Sequence, residues 1–176
     1  MSSSNASDHR ARGGAAPTLE ARVAATLSRL RGACGASRLL VAWSGGLDST
    51  VLLHLACAHA RADGLAIAAV HVDHGLAAES TAWAAHCVRY AARLGVPCTT
   101  RRLAASPPAG ASIEAWAREQ RYAALAGQSD AATLVLTAHH RDDQRETVLQ
   151  RVLEGAGPHG LAGMRELRRL GAGHLG

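Results

Sequence analysis

The chain is 176 residues long, which suits one ordinary domain with a tail and is enough to bury a core without a metal or disulfide staple. Hydrophobic residues at 48% and charged residues at 19% exclude a wholly disordered chain, and no run approaches the ~18 apolar residues of a membrane-spanning helix. The net charge is +5 and all 19 basic residues are Arg; without Lys, a Walker A phosphate loop, a Schiff-base lysine and a lysine nucleophile are excluded.

Residues 1–17 are small, polar and Gly-rich, and are expected to form a disordered tail. They hold no apolar signal-peptide core, so a cytoplasmic protein is expected. From Thr18, a plausible N-cap, Leu19, Val23, Leu27 and Leu30 form a helical stripe. A strand-then-helix pattern then recurs four times. RLLVAW (38–43) leads into the loop SGGLDS and a helix to about Arg61. LAIAAVHV (65–72) leads into DHGL and a helix from about Glu79 to Leu94. VPCTTRRL (96–103) precedes a Pro/Gly loop and a helix from about Ser112 to Ala126. TLVLTA (133–138) meets HHRDDQ and a helix ending near Gly155.

Alternating strands and amphipathic helices predict an α/β fold with a parallel sheet covered on both faces. The expected architecture is a doubly wound sheet, for which a strand order of 3-2-1-4 is assumed. Because the text after Gly155 turns Gly-rich and then stops, a fifth strand is expected to be missing, with 165–176 a truncated or flexible segment after a domain over 18–164. The four cysteines are at least eleven residues apart and form no CxxC pair. They are expected to be small buried hydrophobes in a reducing compartment.

The strongest chemical signal is Ser44-Gly45-Gly46-Leu47-Asp48-Ser49, between the first strand and its helix. Glycines there let backbone N–H groups approach an anion, and the following helix presents its positive end to it. Ser44 and Ser49 add hydroxyls, and Asp48 is a candidate magnesium ligand. The bland alternative is a Gly-rich turn with a Ser cap.

The second cluster is His139-His140-Arg141-Asp142-Asp143-Gln144-Arg145-Glu146 after the fourth strand. Asp143 and Glu146 share a helical face with Gln150, but acids in a first turn also complement the helix dipole, and the residues alone leave both readings open. In a 3-2-1-4 sheet the two clusters face each other across the crevice where such folds bind ligands. His71 and His74, ending the second strand, read as structural and are poor zinc evidence. Glu114, Arg118 and Arg121 share a helix face, with a solvated ion pair as the alternative. Gly155–Gly160 matches GxGxxG only formally, since it ends a helix.

SGGLDS after a strand resembles the loop of the PP-loop ATP pyrophosphatases. With VAWSGGLDSTVLLHL (41–55), VHVDHGL (70–76), EAWAREQRY (114–122) and TAHHRDDQRETVLQRVLEGAGPHGLAGM (137–164), the chain resembles the tRNA(Ile)-lysidine synthetases, as a truncated N-terminal catalytic domain. Two departures stand out: Glu154 where that family often has Arg, and no C-terminal tRNA-binding domains.

The resemblance implies ATP and Mg2+ as cofactors, and tRNA(Ile) and free lysine as partners. It implies a ligase that adenylates the wobble cytidine, releases pyrophosphate and joins lysine to carbon-2. Ser44 to Ser49 would hold ATP, with Asp48 on the metal. Asp143, Glu146 and His140 would meet the lysine substrate, and Arg118 a phosphate or RNA. A homo-oligomer is compatible with this. The rivals are a PP-loop tRNA thiolation enzyme and a nucleotide-binding remnant without activity.

Overall fold

In a computed structural model of the chain, residues 16–73, 75, 79–103, 108–110, 112–139 and 166–176 are described. Helix α1 (Leu19–Cys34) precedes β1 (Arg38–Ala42), α2 (Leu47–Asp63), β2 (Ala66–Asp73), α3 (Ser80–Arg93), β3 (Cys98–Arg102), α4 (Ile113–Ala126) and β4 (Thr133–Leu136). A short hairpin of β5 (Arg168–Leu170) and β6 (Gly173–Leu175) follows. Thr18 caps α1, its side chain accepting from the Ala21 N–H at 3.3 Å, and Ser112 caps α4 through the Ala115 N–H at 3.4 Å. The helix expected to end near Gly155 lies outside the described residues.

These strands form one six-stranded sheet in the order β3-β2-β1-β4-β6-β5. Strands β3, β2, β1, β4 and β6 run parallel, and β5 pairs antiparallel with β6 at the edge. The 3-2-1-4 order is as expected, but the expectation that the fifth strand is missing is corrected: β6 occupies that place. Gly176 N–H donates to the Val135 carbonyl at 2.8 Å and Thr137 N–H to the Gly176 carbonyl at 3.1 Å, which extends the β4–β6 ladder. Gly171 turns the hairpin at φ 57°, and at Gly173 a Cβ would lie 2.7 Å from the Asp130 carbonyl oxygen. The late glycines therefore make a tight turn and a close backbone approach.

Both faces of the sheet are covered, so its central strands are apolar throughout rather than alternating. Leu39 and Val41 of β1 pack with Leu27 and Leu30 of α1, Leu53 and Ala56 of α2, and Cys87 and Ala91 of α3. Leu40, between them, points to the opposite face with Val70, Val135, Leu125 of α4, and Leu170 and Leu175 of the hairpin. Burying each such Leu contributes roughly 1.5–3 kcal/mol. This scaffold brings the carboxyl ends of β1, β2 and β4 to one edge.

Candidate functional site

At that edge lies a cleft of about 800 Å3, lined on one side by Trp43, Ser44, Gly46, Leu47, Asp48 and Ser49. β2 supplies His71 and Asp73, and Thr137 to His139 come from the segment after β4. The cleft thus opens at the carboxyl ends of β1 and β4, neighbours in the middle of the sheet, where the strand order reverses.

The loop geometry follows from its glycines. Gly45 has φ 82°, and a Cβ there would meet Cys87 Sγ at 2.8 Å and the Trp83 ring at 3.0 Å. Only glycine fits both the left-handed backbone and this contact with α3. Gly46 is the N-cap of α2 in extended conformation with no side-chain cap, and the Thr50 N–H to Gly46 carbonyl bond opens the helix at 3.0 Å. The hydroxyls of Ser44 and Ser49 stand 3.0 Å apart, and Ser49 and Thr50 both donate to the Gly46 carbonyl, at 3.0 and 2.8 Å. An uncapped helix start with amides and hydroxyls at a cleft is an anion-binding arrangement.

Two elements brace the loop from outside it. The Trp83 indole N–H donates to the Ser44 carbonyl at 2.9 Å, while its ring, 47% exposed, lines the cleft and stacks on His86 with centroids 5.3 Å apart. His71 is buried, and its Nδ1 donates to the Trp43 carbonyl at 3.0 Å. The ring therefore carries its proton on Nδ1 and holds β1 against β2, consistent with a structural His71. Cys87, beneath the loop, has its thiol pushed up to about 11, by burial first and then by Cys98.

The loop residues Ser44 to Ser49 thus sit together as expected, with Gly45 supporting rather than lining the cleft. Arg118 does not line it; its guanidinium lies 5.3 Å from the Tyr122 ring centroid, and Arg121 and Tyr122 line the cleft instead. His139 is at the cleft, its Nδ1 2.8 Å from the Thr137 hydroxyl. His74, His140, Asp143 and Glu146 lie outside the described residues. Sequence reasoning missed Asp73, Glu79 and Trp83, all cleft-lining. Asp73 was open to discovery as the last residue of the strand beside β1, whereas Trp83 carries no local signature.

The PP-loop domain family matches residues 18–175. The chain belongs to the PP-loop family. The motif SGGLDS and the cleft above it lie within the matched residues. The chain is 52% identical over 151 residues to the tRNA(Ile)-lysidine synthase of Alkalilimnicola ehrlichii, covering 85% of this chain and 34% of that protein. To the enzymes of the same name from Pseudomonas fluorescens and Pseudomonas aeruginosa it is 48% and 46% identical, covering 85% and 89% of this chain and 34% and 35% of theirs. The chain thus spans about a third of the length of these relatives. Among solved structures, the U34-tRNA thiolase NcsA from Methanococcus maripaludis, determined with its [4Fe-4S] cluster, superposes with TM-score 0.60 at 16% identity. That match covers 78% of this chain and 52% of the thiolase, and it shows the fold.

Proposed function

We propose that this domain binds ATP with its pyrophosphate end on the PP-loop and belongs to a ligase that attaches free lysine to carbon-2 of the wobble cytidine of tRNA(Ile). The observation that carries the reading is the uncapped α2 start at Gly46 facing a switch-point cleft, together with 46–52% identity to lysidine synthases. The α2 amides and the hydroxyls of Ser44 and Ser49 hold the leaving pyrophosphate in place as the cytidine oxygen attacks the α-phosphorus. The helix-start amides are fixed and cost no reorganisation during the reaction, whereas the two serine hydroxyls rotate away from each other and from the Gly46 carbonyl to reach the phosphates.

Asp48 lines the cleft at the start of α2 and would be the loop's own ligand for a magnesium ion, an oxygen donor of the kind that ion takes. When bound there, the ion shields the phosphate charge. Asp143 and Glu146 take the ammonium of lysine and accept its proton, since only the neutral amine attacks, and His140 borders the same substrate. Displacement of AMP from the adenylated base completes the ligation. Among the described residues no helix is long and apolar enough to cross a membrane.

Sulfur transfer is the competing chemistry. Against it stands the state of the thiols: Cys57 and Cys87 are buried, and the Cys87 thiol is held protonated far above neutral pH.

The test is nucleoside mass spectrometry after incubating the chain with ATP, magnesium, isotope-labelled lysine and tRNA lacking the modification. A cytidine bearing the lysine label supports the ligase. Pyrophosphate release without that label means an ATP-binding domain that does not itself complete the transfer.

A further inference from the structure

Two guanidinium groups lie over a single tyrosine at the border of the cleft. The Cζ of Arg168 is 4.6 Å from the Tyr122 ring centroid and that of Arg118 5.3 Å. Arg118 stands one helical turn before Tyr122 on α4, and Arg168 comes from the edge strand β5. Both arginines are exposed. Neither forms an ion pair with any described carboxylate, although Arg29, Arg31, Arg38 and Arg102 each do.

Like charges brought to one ring repel, and with no described carboxylate paired to either, an anion from outside would relieve that repulsion. The ring fixes each guanidinium while leaving N–H donors for the forked geometry that suits phosphate. The two charges are at most about 10 Å apart, close enough for both to contact the phosphates of one nucleic-acid strand. Tyr122 also lines the cleft, so the ring that carries both guanidinium groups stands at the border of that cleft.

We propose that Arg118, Tyr122 and Arg168 form a docking surface for the phosphate backbone of RNA, guiding the strand that enters the cleft. This rests on the reading of tRNA as substrate and adds the place and groups of its contact. The backbone contact positions the strand, and sequence is read elsewhere.

The test is fluorescence anisotropy of a labelled, unmodified tRNA(Ile) transcript titrated with the chain, with R118Q, with R168Q and with the double variant. Titrations at several salt concentrations give the slope of log affinity against log salt. Each single variant is expected to lose about 3- to 10-fold in affinity. The double variant is expected to flatten the slope by about 1.4 to 1.8, the release of two phosphate contacts. Y122L, which keeps both charges but removes the ring, is expected to weaken binding, and Y122F to restore it. Circular dichroism melting confirms that each variant is folded.

Affinity and slope unchanged in the folded double variant would overturn the surface and leave the tRNA reading intact. A wild-type chain that binds ATP but no transcript would overturn both. Equal displacement of the transcript by polyglutamate and by single-stranded RNA of the same charge would overturn RNA as the partner.

Discussion

The indole N–H of Trp83 on α3 donates to the carbonyl oxygen of Ser44 across 2.9 Å, tying a helix from the next βα unit to the first residue of the PP-loop. The same ring packs against Gly45, so the loop is fixed from outside its own sequence. Loss of this brace is expected to cost ATP affinity rather than the fold. W83F, which keeps the packing but not the donor, is expected to weaken ATP binding about 3- to 10-fold, the equivalent of one hydrogen bond, and W83A more. Isothermal titration checks this, and equal affinities in both variants would show that Trp83 does not position the loop.

The two loop glycines are expected to behave differently. Ala at position 45 meets Cys87 Sγ at 2.8 Å on a φ 82° backbone, whereas Ala at 46 meets only the Ser44 hydroxyl at 3.4 Å on an ordinary backbone. G45A is therefore expected to lower the melting temperature, with a cost of about 1–3 kcal/mol. G46A is expected to melt close to the parent. Thermal melting of the pair separates them, and a reversed order would contradict the loop geometry.

Asp48 lies in the first turn of α2 and lines the cleft. D48A is expected to abolish ATP cleavage while leaving the fold intact. Pyrophosphate release at the parent rate would refute its role.

The hairpin is expected to matter for stability. Deleting 166–176 removes Leu170 and Leu175 from the core and uncovers the edge of β4. The loss of two buried Leu side chains alone is worth about 3–6 kcal/mol, a large part of a domain's stability. G173A, whose Cβ would lie 2.7 Å from one carbonyl oxygen and 2.9 Å from another, is expected to reproduce part of that loss. Urea unfolding measures both.

Cys87 gives a pH signature. Burial holds its thiol protonated to about 11, against 9.0 for the free group. Between these values the unfolded chain releases the proton and the folded chain keeps it, so unfolding gains free energy as pH rises. Stability is expected to fall from about pH 9 to about pH 11, and C87A is expected to remove that part of the fall. Denaturant midpoints across this range are the measurement.

Most of the βα order was legible because each strand and helix announces itself locally. The apolar runs at 65–72 and 133–138 became the buried strands β2 and β4, and Thr18 and Ser112 capped helices as their side chains suggest. Strands β5 and β6 were not legible, since three residues are too few to carry a period, and their glycines read as an unstructured end. The loop Ser44 to Ser49 was recognisable because six adjacent residues carry its whole motif.

The sequence by itself determined the local parts: the loop, its helix, and the alternation of strands and helices. Tertiary structure alone decided what crosses between units. Trp83 under Ser44, Arg168 beside Arg118 on Tyr122, and β6 along β4 each join segments tens of residues apart. Such contacts leave no periodicity or spacing in the chain, because they arise from how a right-handed succession of βα units brings distant elements to one sheet edge.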